Sequence, residues 1–269
     1  MKIATEITVQ SKAPATTFSM IQTTMAAIVP AAGCGVRTGL DNNKILAPIG
    51  GQPLLYWTLR AIVEAAPRLS TLGVELTQII LAARHEEFEI LHSLLDSQFP
   101  RLTFVIGGAT RQQSVGNAAR AASADFLLVH DAARPLVSTE LIARVTQAAQ
   151  KNDAAIASLP ASDTIKIARD AKEVGPGVSF IGSTPDRGTI WLAQTPQIFR
   201  RELYLRALEN AARENFDGTD CASLIERIGE DVALVPGETE SFKVTYADDL
   251  RRAESVLNSR AIAAENALN

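Results

Sequence analysis

The sequence predicts an α/β domain: a mostly parallel sheet flanked by helices, with an extended β-arm protruding from it. Three observations carry this. Short apolar runs alternate with amphipathic segments from residue 26 to about 160, the pattern of strands joined by crossover helices. Glycine-containing loops directly follow the first and third apolar runs, and open parallel sheets bind ligands at such strand ends. Between 161 and 198 the helical period disappears, and glycine and proline punctuate β-rich sequence.

Taken in order, residues 1–24 are polar, Thr-rich and without a helical period, and read as a disordered N-terminal extension ahead of a single domain over 25–269. Ala26–Pro30 reads as a buried strand. Pro53–Ala66 opens with proline at a first-turn position and reads as a helix. Strands follow at Thr77–Ala83, Leu102–Ile106, Asp125–His130 and Ala154–Leu159, alternating with helices at Glu86–Leu95, Arg111–Ala122 and Ser138–Ala149. Ser138 is a candidate N-cap. The arm, about 161–190, pairs Thr164–Ala168 with Ser179–Gly182 around a Gly175-Pro176-Gly177 turn. Two strands alone are not stable, so the arm is expected to pack on a second subunit. Helices return at Arg201–Glu214 and Thr219–Arg227. A strand is expected at Val232–Val235, a last one around Ser241–Thr245, and a final helix from about Ala247.

Composition removes several function classes. A net charge of −4 disfavours a nucleic-acid holder, which needs a basic face, but leaves room for a small anionic ligand. Aromatic residues are only 5 % of the chain, too few for single-strand stacking platforms. Cys34 and Cys221 lie far apart, and His85, His92 and His130 show no zinc spacing. No apolar run approaches the roughly 18–20 residues of a membrane span. A soluble chain of a reducing compartment, the cytoplasm, is expected.

Four sets of residues suggest chemistry. Pro30-Ala31-Ala32-Gly33-Cys34-Gly35-Val36-Arg37, with Lys44 downstream, offers close-approaching backbone N–H groups and two cations for a phosphate chain. It is neither a Walker A loop nor a G-x-G-x-x-G turn, since Thr38 stands at the third glycine position, which disfavours hydride-transfer chemistry. Gly107-Gly108-Ala109 turns into a helix whose first turns carry Thr110, Arg111 and Ser114; its N-terminus presents free N–H groups. His130-Asp131-Ala132-Ala133-Arg134-Pro135 puts a carboxylate at a strand end, where it suits Mg²⁺ or a hydroxyl; His130 reads as a packing residue. The fourth set is dispersed: Asp163-Thr164, Asp186-Arg187, Thr195-Pro196-Gln197, Thr219-Asp220 and Ser241–Thr245. Read singly, each set is equally an ordinary turn, cap or surface pair.

Together, PAAGCGVR, GGATRQQSV, HDAARPLV, DTIK, TPDR, TPQIF, TDCAS and FKVT resemble the 2-C-methyl-D-erythritol 4-phosphate cytidylyltransferases of the non-mevalonate isoprenoid pathway. The resemblance runs over roughly 25–258. It implies a Rossmann-like nucleotidyltransferase domain whose β-arm forms a homodimer, CTP and a sugar-alcohol phosphate as substrates, and Mg²⁺ as cofactor. Carried over by position, it implies catalytic roles for Arg37 and Lys44 at the α-phosphate, and for Arg187 and Lys243 at the acceptor phosphate. Ala31, Ala32, Gly33, Gly35, Gly108, Ala109 and Ser114 fall on CTP-binding positions. Asp131, Ala132, Arg134, Thr164, Thr195 and Thr219 fall on substrate-side positions, Asp131 also on the metal side, with the ion held mainly by the CTP phosphates.

The sequence departs from that pattern at Val36, where a second basic residue is common, at Ala109, where an acid is frequent, and at Asn43-Lys44-Ile45, where Pro-Lys-Gln is usual. Losing the proline is expected to leave the loop freer. Two rivals follow: the same transfer onto another polyol phosphate such as ribitol 5-phosphate, or a catalytically silent nucleotide-binding protein. A fusion with a second enzyme domain after residue 269 is not expected.

Overall fold

The computed structural model describes residues 22–33, 43–95, 97–99, 101–169 and 179–268. Eleven strands and eight helices are recognised among them. In chain order these are β1 (Thr23–Pro30), β2 (Pro48–Ile49), β3 (Gln52–Pro53), α1 (Leu54–Glu64), α2 (Ala66–Thr71), β4 (Val74–Ala83), α3 (Phe88–Leu95), β5 (Leu102–Ile106), α4 (Arg111–Ala121), β6 (Phe126–Val129) and α5 (Thr139–Asn152). There follow β7 (Ala154–Pro160), β8 (Ile167–Ala168), β9 (Ile181–Ser183), β10 (Trp191–Arg200), α6 (Arg201–Arg213), α7 (Ala222–Arg227), β11 (Ala233–Pro236) and α8 (Ala247–Leu268). Strand β1 begins at Thr23, just ahead of the boundary expected at 24/25.

A seven-stranded sheet in the order β11-β7-β10-β6-β1-β4-β5 forms the centre. β1 pairs in parallel with β4 and β6, β4 with β5, and β11 with β7. Only β10 runs against its neighbours β6 and β7. The period-2 alternation of strands sorts side chains to two faces. Met25, Ala27, Val29 and Leu128 face one way, into a core with Leu59, Ile62, Leu69 and Val145 from α1, α2 and α5. Ala26, Ile28, Leu127 and Val129 face the other, against Val115 and Ala118 of α4, Tyr204 of α6 and Leu224 of α7. Parallel strands covered on both faces read as continuous apolar runs, which is why the first five major strands are visible in the sequence.

Two expectations are corrected. Ser241–Thr245 is not a strand: the segment crosses the end of the sheet, anchored by buried Val244, whose N–H donates to Ala133 O at 2.8 Å. Its alternating side chains imitate a strand, but it has no strand to pair with. Conversely, 191–200 forms a full central strand where the sequence suggested only the closing motif of the arm. Pro196 disguises it, because proline inside a run argues against a strand. The register against β7 shifts between Ala193 and Gln197, so the proline sits where ladder pairing is interrupted.

In the arm, β8 and β9 pair only with each other and are shorter than expected. Ile167, Phe180 and Ile181 are exposed there. The proposed Gly175–Gly177 turn lies outside the described residues.

Ser138 caps α5 as anticipated, its Oγ accepting from Leu141 N–H at 2.9 Å. The same hydroxyl donates to Glu238 at 2.5 Å. Ser138→Ala is therefore expected to lower the unfolding free energy by about 1 kcal/mol, read from the urea midpoint at constant slope. An unchanged midpoint would refute the cap.

Candidate active site

Three loops converge at the carboxyl ends of β1, β5 and β6. Ala31 N–H donates to Ala82 O at 2.7 Å, and Gly107 N–H to Ala83 O at 2.8 Å, so the first two loops leave the sheet on either side of β4. Their approach is close enough to demand glycine: a Cβ on Gly107 would lie 2.4 Å from that of Ala32, and one on Gly108 only 2.3 Å from that of Gln113. The polar residues of the second loop brace it internally. Ser114 Oγ accepts from Gly108 N–H at 3.0 Å and donates to Thr110 O at 3.0 Å. Gln113 Oε1 accepts from Ala109 N–H at 2.9 Å, and Thr110 caps α4.

These loops enclose a cavity of about 440 Å³. Ala31, Ala32 and Gly33 form one side, Gly108, Ala109 and Ser114 another, and Lys44, Asp131, Ala132 and Lys243 the remainder. A second cavity of about 420 Å³ adjoins it and holds Arg134, Thr195 and Thr219. Arg111, Asp131 and Lys243 belong to both and form the wall between them. Most of the expected residues are thus brought together. Arg37 and Gly35 lie outside the described residues. Thr164 and Arg187 are exposed on the arm and line neither cavity; Arg187 Nη1 donates to Ser162 O at 2.8 Å.

The shared wall is an electrostatic cluster. Arg111 reaches Asp131 Oδ1 through Nε and Nη2, both at 3.0 Å. Lys243 Nζ donates to Asp131 Oδ2 at 2.8 Å. Arg134 Nε lies 3.8 Å from the same oxygen, while its Nη1 donates to Ser241 O at 2.6 Å. Burial alone would raise the Asp131 carboxyl; Arg111, Lys243 and Arg134 outweigh it and hold the group well below the usual carboxylate range. Lys44 joins Arg111 and Lys243 as a third cation lining the first cavity, with Nζ on Val244 O at 3.0 Å. Asp131 is the sole carboxylate among the described residues lining that cavity, so its surplus charge is positive.

Arg111 stands in the second motif but has no role in the expected site. It carried one legible signal: a cation at the first residue of a helix opposes the macrodipole and calls for a nearby anion. Its Nη1 also donates to Cys221 Sγ at 3.4 Å, as does Tyr204 OH. Burial pushes the Cys221 thiol up, so it stays neutral behind the guanidinium. Residues 34–42 of the loop expected to be freer lie outside the described residues; at its end Asn43 is buried, with its side-chain amide bonded to Ala31 and Glu87, and Ile45 sits in the core.

His130, read as packing, is fully buried but wired to the site. Its Nε2 lies 3.0 Å from Arg134 O, and its Nδ1 3.0 Å from Thr195 Oγ1. A carbonyl only accepts, so Nε2 carries the proton and Nδ1 accepts from the Thr195 hydroxyl. Thr195 Oγ1 in turn accepts from Asp131 N–H at 3.1 Å. Burial lowers the His130 pKa from 6.5 to about 4. The unfolded chain therefore binds a proton below pH 6.5 that the folded chain refuses until about pH 4. Stability from this group is complete above pH 6.5 and is lost as pH falls through that window, about 3 kcal/mol in all. His130→Gln is expected to flatten the fall in unfolding free energy between pH 6.5 and 4.5, followed by urea denaturation; an equal slope would count against the assignment.

Comparison with known proteins agrees with this geometry. The profile of the family described as IspD, 2-C-methyl-D-erythritol 4-phosphate cytidylyltransferase, matches residues 25–259. A curated protein of that name from Trichormus variabilis is 38 % identical over 238 residues, covering 88 % of this chain and 99 % of its own. One from Geobacter metallireducens is 36 % identical over 239 residues, covering 87 % and 97 %. The crystal structure of the Thermus thermophilus enzyme superposes with a TM-score of 0.67 at 34 % identity, covering 86 % of this chain and 97 % of that one. With a profile spanning nearly the whole chain and relatives matched end to end, the protein belongs to the 2-C-methyl-D-erythritol 4-phosphate cytidylyltransferase family.

Proposed function

We propose that the protein transfers CMP from CTP to 2-C-methyl-D-erythritol 4-phosphate, giving 4-diphosphocytidyl-2-C-methyl-D-erythritol and pyrophosphate, in cytoplasmic synthesis of isoprenoid precursors. The observation that carries this reading is the cationic wall shared by two adjoining cavities, which suits two anionic substrates meeting at one phosphorus.

A phosphate oxygen of the acceptor attacks the α-phosphorus, and the bond to the β-phosphate oxygen breaks. The nucleophile is already anionic at neutral pH, so no base or covalent intermediate is needed. The barrier is the approach of one anion to another, and catalysis is positioning plus charge neutralisation. The loops at Ala31–Gly35 and Gly108–Ser114 hold the nucleotide. Lys44 and Arg37 neutralise charge at the α-phosphate and on leaving pyrophosphate. Lys243 holds the acceptor phosphate on the far side of the wall, and Arg134, Thr195 and Thr219 shape that cavity.

Mg²⁺ enters as the counter-ion of CTP. Asp131 is already engaged by Arg111 and Lys243 on its two oxygens, and no group of three metal-binding side chains occurs among the described residues. Among the described residues the first cavity therefore offers the ion one carboxylate, Asp131, as is usual for Mg²⁺ carried on phosphates.

Thr164 and Arg187, exposed on an arm with an apolar face, act on the partner's site in a homodimer. Ile167, Phe180 and Ile181 on that arm supply the contact. No helix of the described residues is long and apolar enough to cross a membrane.

Lys44→Ala is expected to lower turnover by about 10²–10³, read as pyrophosphate release from CTP, Mg²⁺ and a panel of methylerythritol and ribitol phosphates. Turnover confined to ribitol phosphate would redirect the substrate, and CTP binding without turnover would leave a silent binder. Mixing the inactive Arg187→Ala and Lys44→Ala proteins is expected to restore activity in hybrid sites. No recovery, with subunit exchange verified, would place Arg187 outside the neighbour's site.

A further inference from the structure

We propose that Asn43 is a positioning residue for Lys44, clamping the lysine's turn to the end of β1 and to Glu87. This rests on the reading of Lys44 as a triphosphate ligand.

The Asn43 side chain is only 5 % exposed, and a buried amide is costly unless its hydrogen bonds are made. Here they are made to three different elements. Nδ2 donates to Ala31 O at 3.2 Å, where β1 passes into the nucleotide loop, and to Glu87 Oε1 at 3.0 Å, in the short 3₁₀ turn after β4. Oδ1 accepts from Ile45 N–H at 3.4 Å, capping the 3₁₀ turn Lys44–Leu46. Glu87 is itself 7 % exposed and receives Arg84 Nη2 at 2.5 Å. Its carboxylate therefore offers the amide a fixed, charge-assisted acceptor.

Lys44 is thereby held from both sides. Asn43 pins the residue before it, and Ile45, 3 % exposed in the main core, pins the residue after it. The lysine stem starts from a fixed Cα, and its Nζ lies on Val244 O, next to Lys243. A long flexible side chain gains most from such a fixed origin, because less ordering remains for the substrate to impose. The backbone of Asn43 has φ −57°, a value proline enforces covalently. The asparagine thus does by hydrogen bonding what a proline at this position would do by ring closure, and it adds a tie to Glu87 that proline lacks.

The test measures kcat and KM for CTP by pyrophosphate release in Asn43→Ala, Asn43→Pro, Glu87→Ala and Lys44→Ala, with a thermal melt for each. Asn43→Ala and Glu87→Ala are expected to lower kcat/KM for CTP about 10- to 100-fold while remaining folded at the assay temperature. Asn43→Pro is expected to recover most of that loss. Should Asn43→Ala fail to fold, Glu87→Ala removes the same tie from the other element. Asn43→Ala or Glu87→Ala within twofold of the unaltered enzyme overturns the clamp, as does Asn43→Pro being as impaired as Asn43→Ala. Full turnover in Lys44→Ala overturns the reading of Lys44 on which the clamp rests. Loss of turnover there, with a normal Asn43→Ala, overturns the clamp alone.

Discussion

One buried carboxylate organises this site. A carboxylate taken out of water costs several kcal/mol unless charge and hydrogen bonds replace the solvent. Asp131, 8 % exposed, accepts one hydrogen bond from Arg111 Nε and one from Lys243, with Arg111 Nη2 at ion-pair distance and Arg134 just beyond. The dependence is mutual. Without Asp131, three cations would face one another across the wall between the two cavities, and their repulsion would splay the loops that carry them. With it, they sit close together and still leave a positive surplus. That surplus is in place before any ligand arrives, so a triphosphate meets oriented charges instead of having to assemble them.

The sheet explains why Asp131 stands where it does. Strand β6, apolar on both faces, ends at Val129 and delivers His130 and Asp131 directly at its carboxyl end. Strand β10 runs the opposite way beside it, pairing Gln197 with Val129. A parallel neighbour would present its own carboxyl end there. The antiparallel one instead brings Thr195, from its interior, to the level of the site, where the hydroxyl links the His130 ring to the Asp131 backbone. The single reversed strand is thus the device that fixes the orientation of the central residue.

How much of this was legible depended on the range of the interaction. Local chemistry was readable: Ser138 as a cap needs only its own helix, and the parallel strands announce themselves as apolar runs. Asp131 and the glycine loops stood out as candidates because they directly follow apolar runs, whereas Lys243 was singled out only through the resemblance of the whole motif set. What failed was whatever required a partner distant in sequence. Strand β10 was hidden because Pro196 is acceptable only where the ladder is interrupted, and the interruption shows only against β7. Residues 241–245 looked like a strand because alternation does not reveal whether a neighbouring strand exists. The hydrogen bonds of Asn43 were not legible because one acceptor, Glu87, is 44 residues away. Arg111 was passed over because nothing local says that it faces Asp131.

The same logic resolves the apparent mismatch between an acidic chain and an anionic substrate. A net charge of −4 is a sum over the whole surface, and beyond about 10 Å exposed charges are screened at ordinary salt. Binding is decided inside that distance. Lys44, Arg111, Arg134 and Lys243 span some 200 positions of sequence but meet around two adjoining cavities, because each lies in a loop or at the start of a helical turn at the same end of the sheet. Elsewhere on the chain, exposed arginines such as Arg60, Arg206 and Arg227 are matched by Glu64, Glu230 and Glu214. A chain that matches its peripheral cations one to one and gathers several around a single carboxylate at strand ends can be acidic overall and still present a positive site. Net charge therefore disfavours a polyanion spread along the surface without bearing on one held in a cleft, and the distribution of cations over the fold is what distinguishes the two.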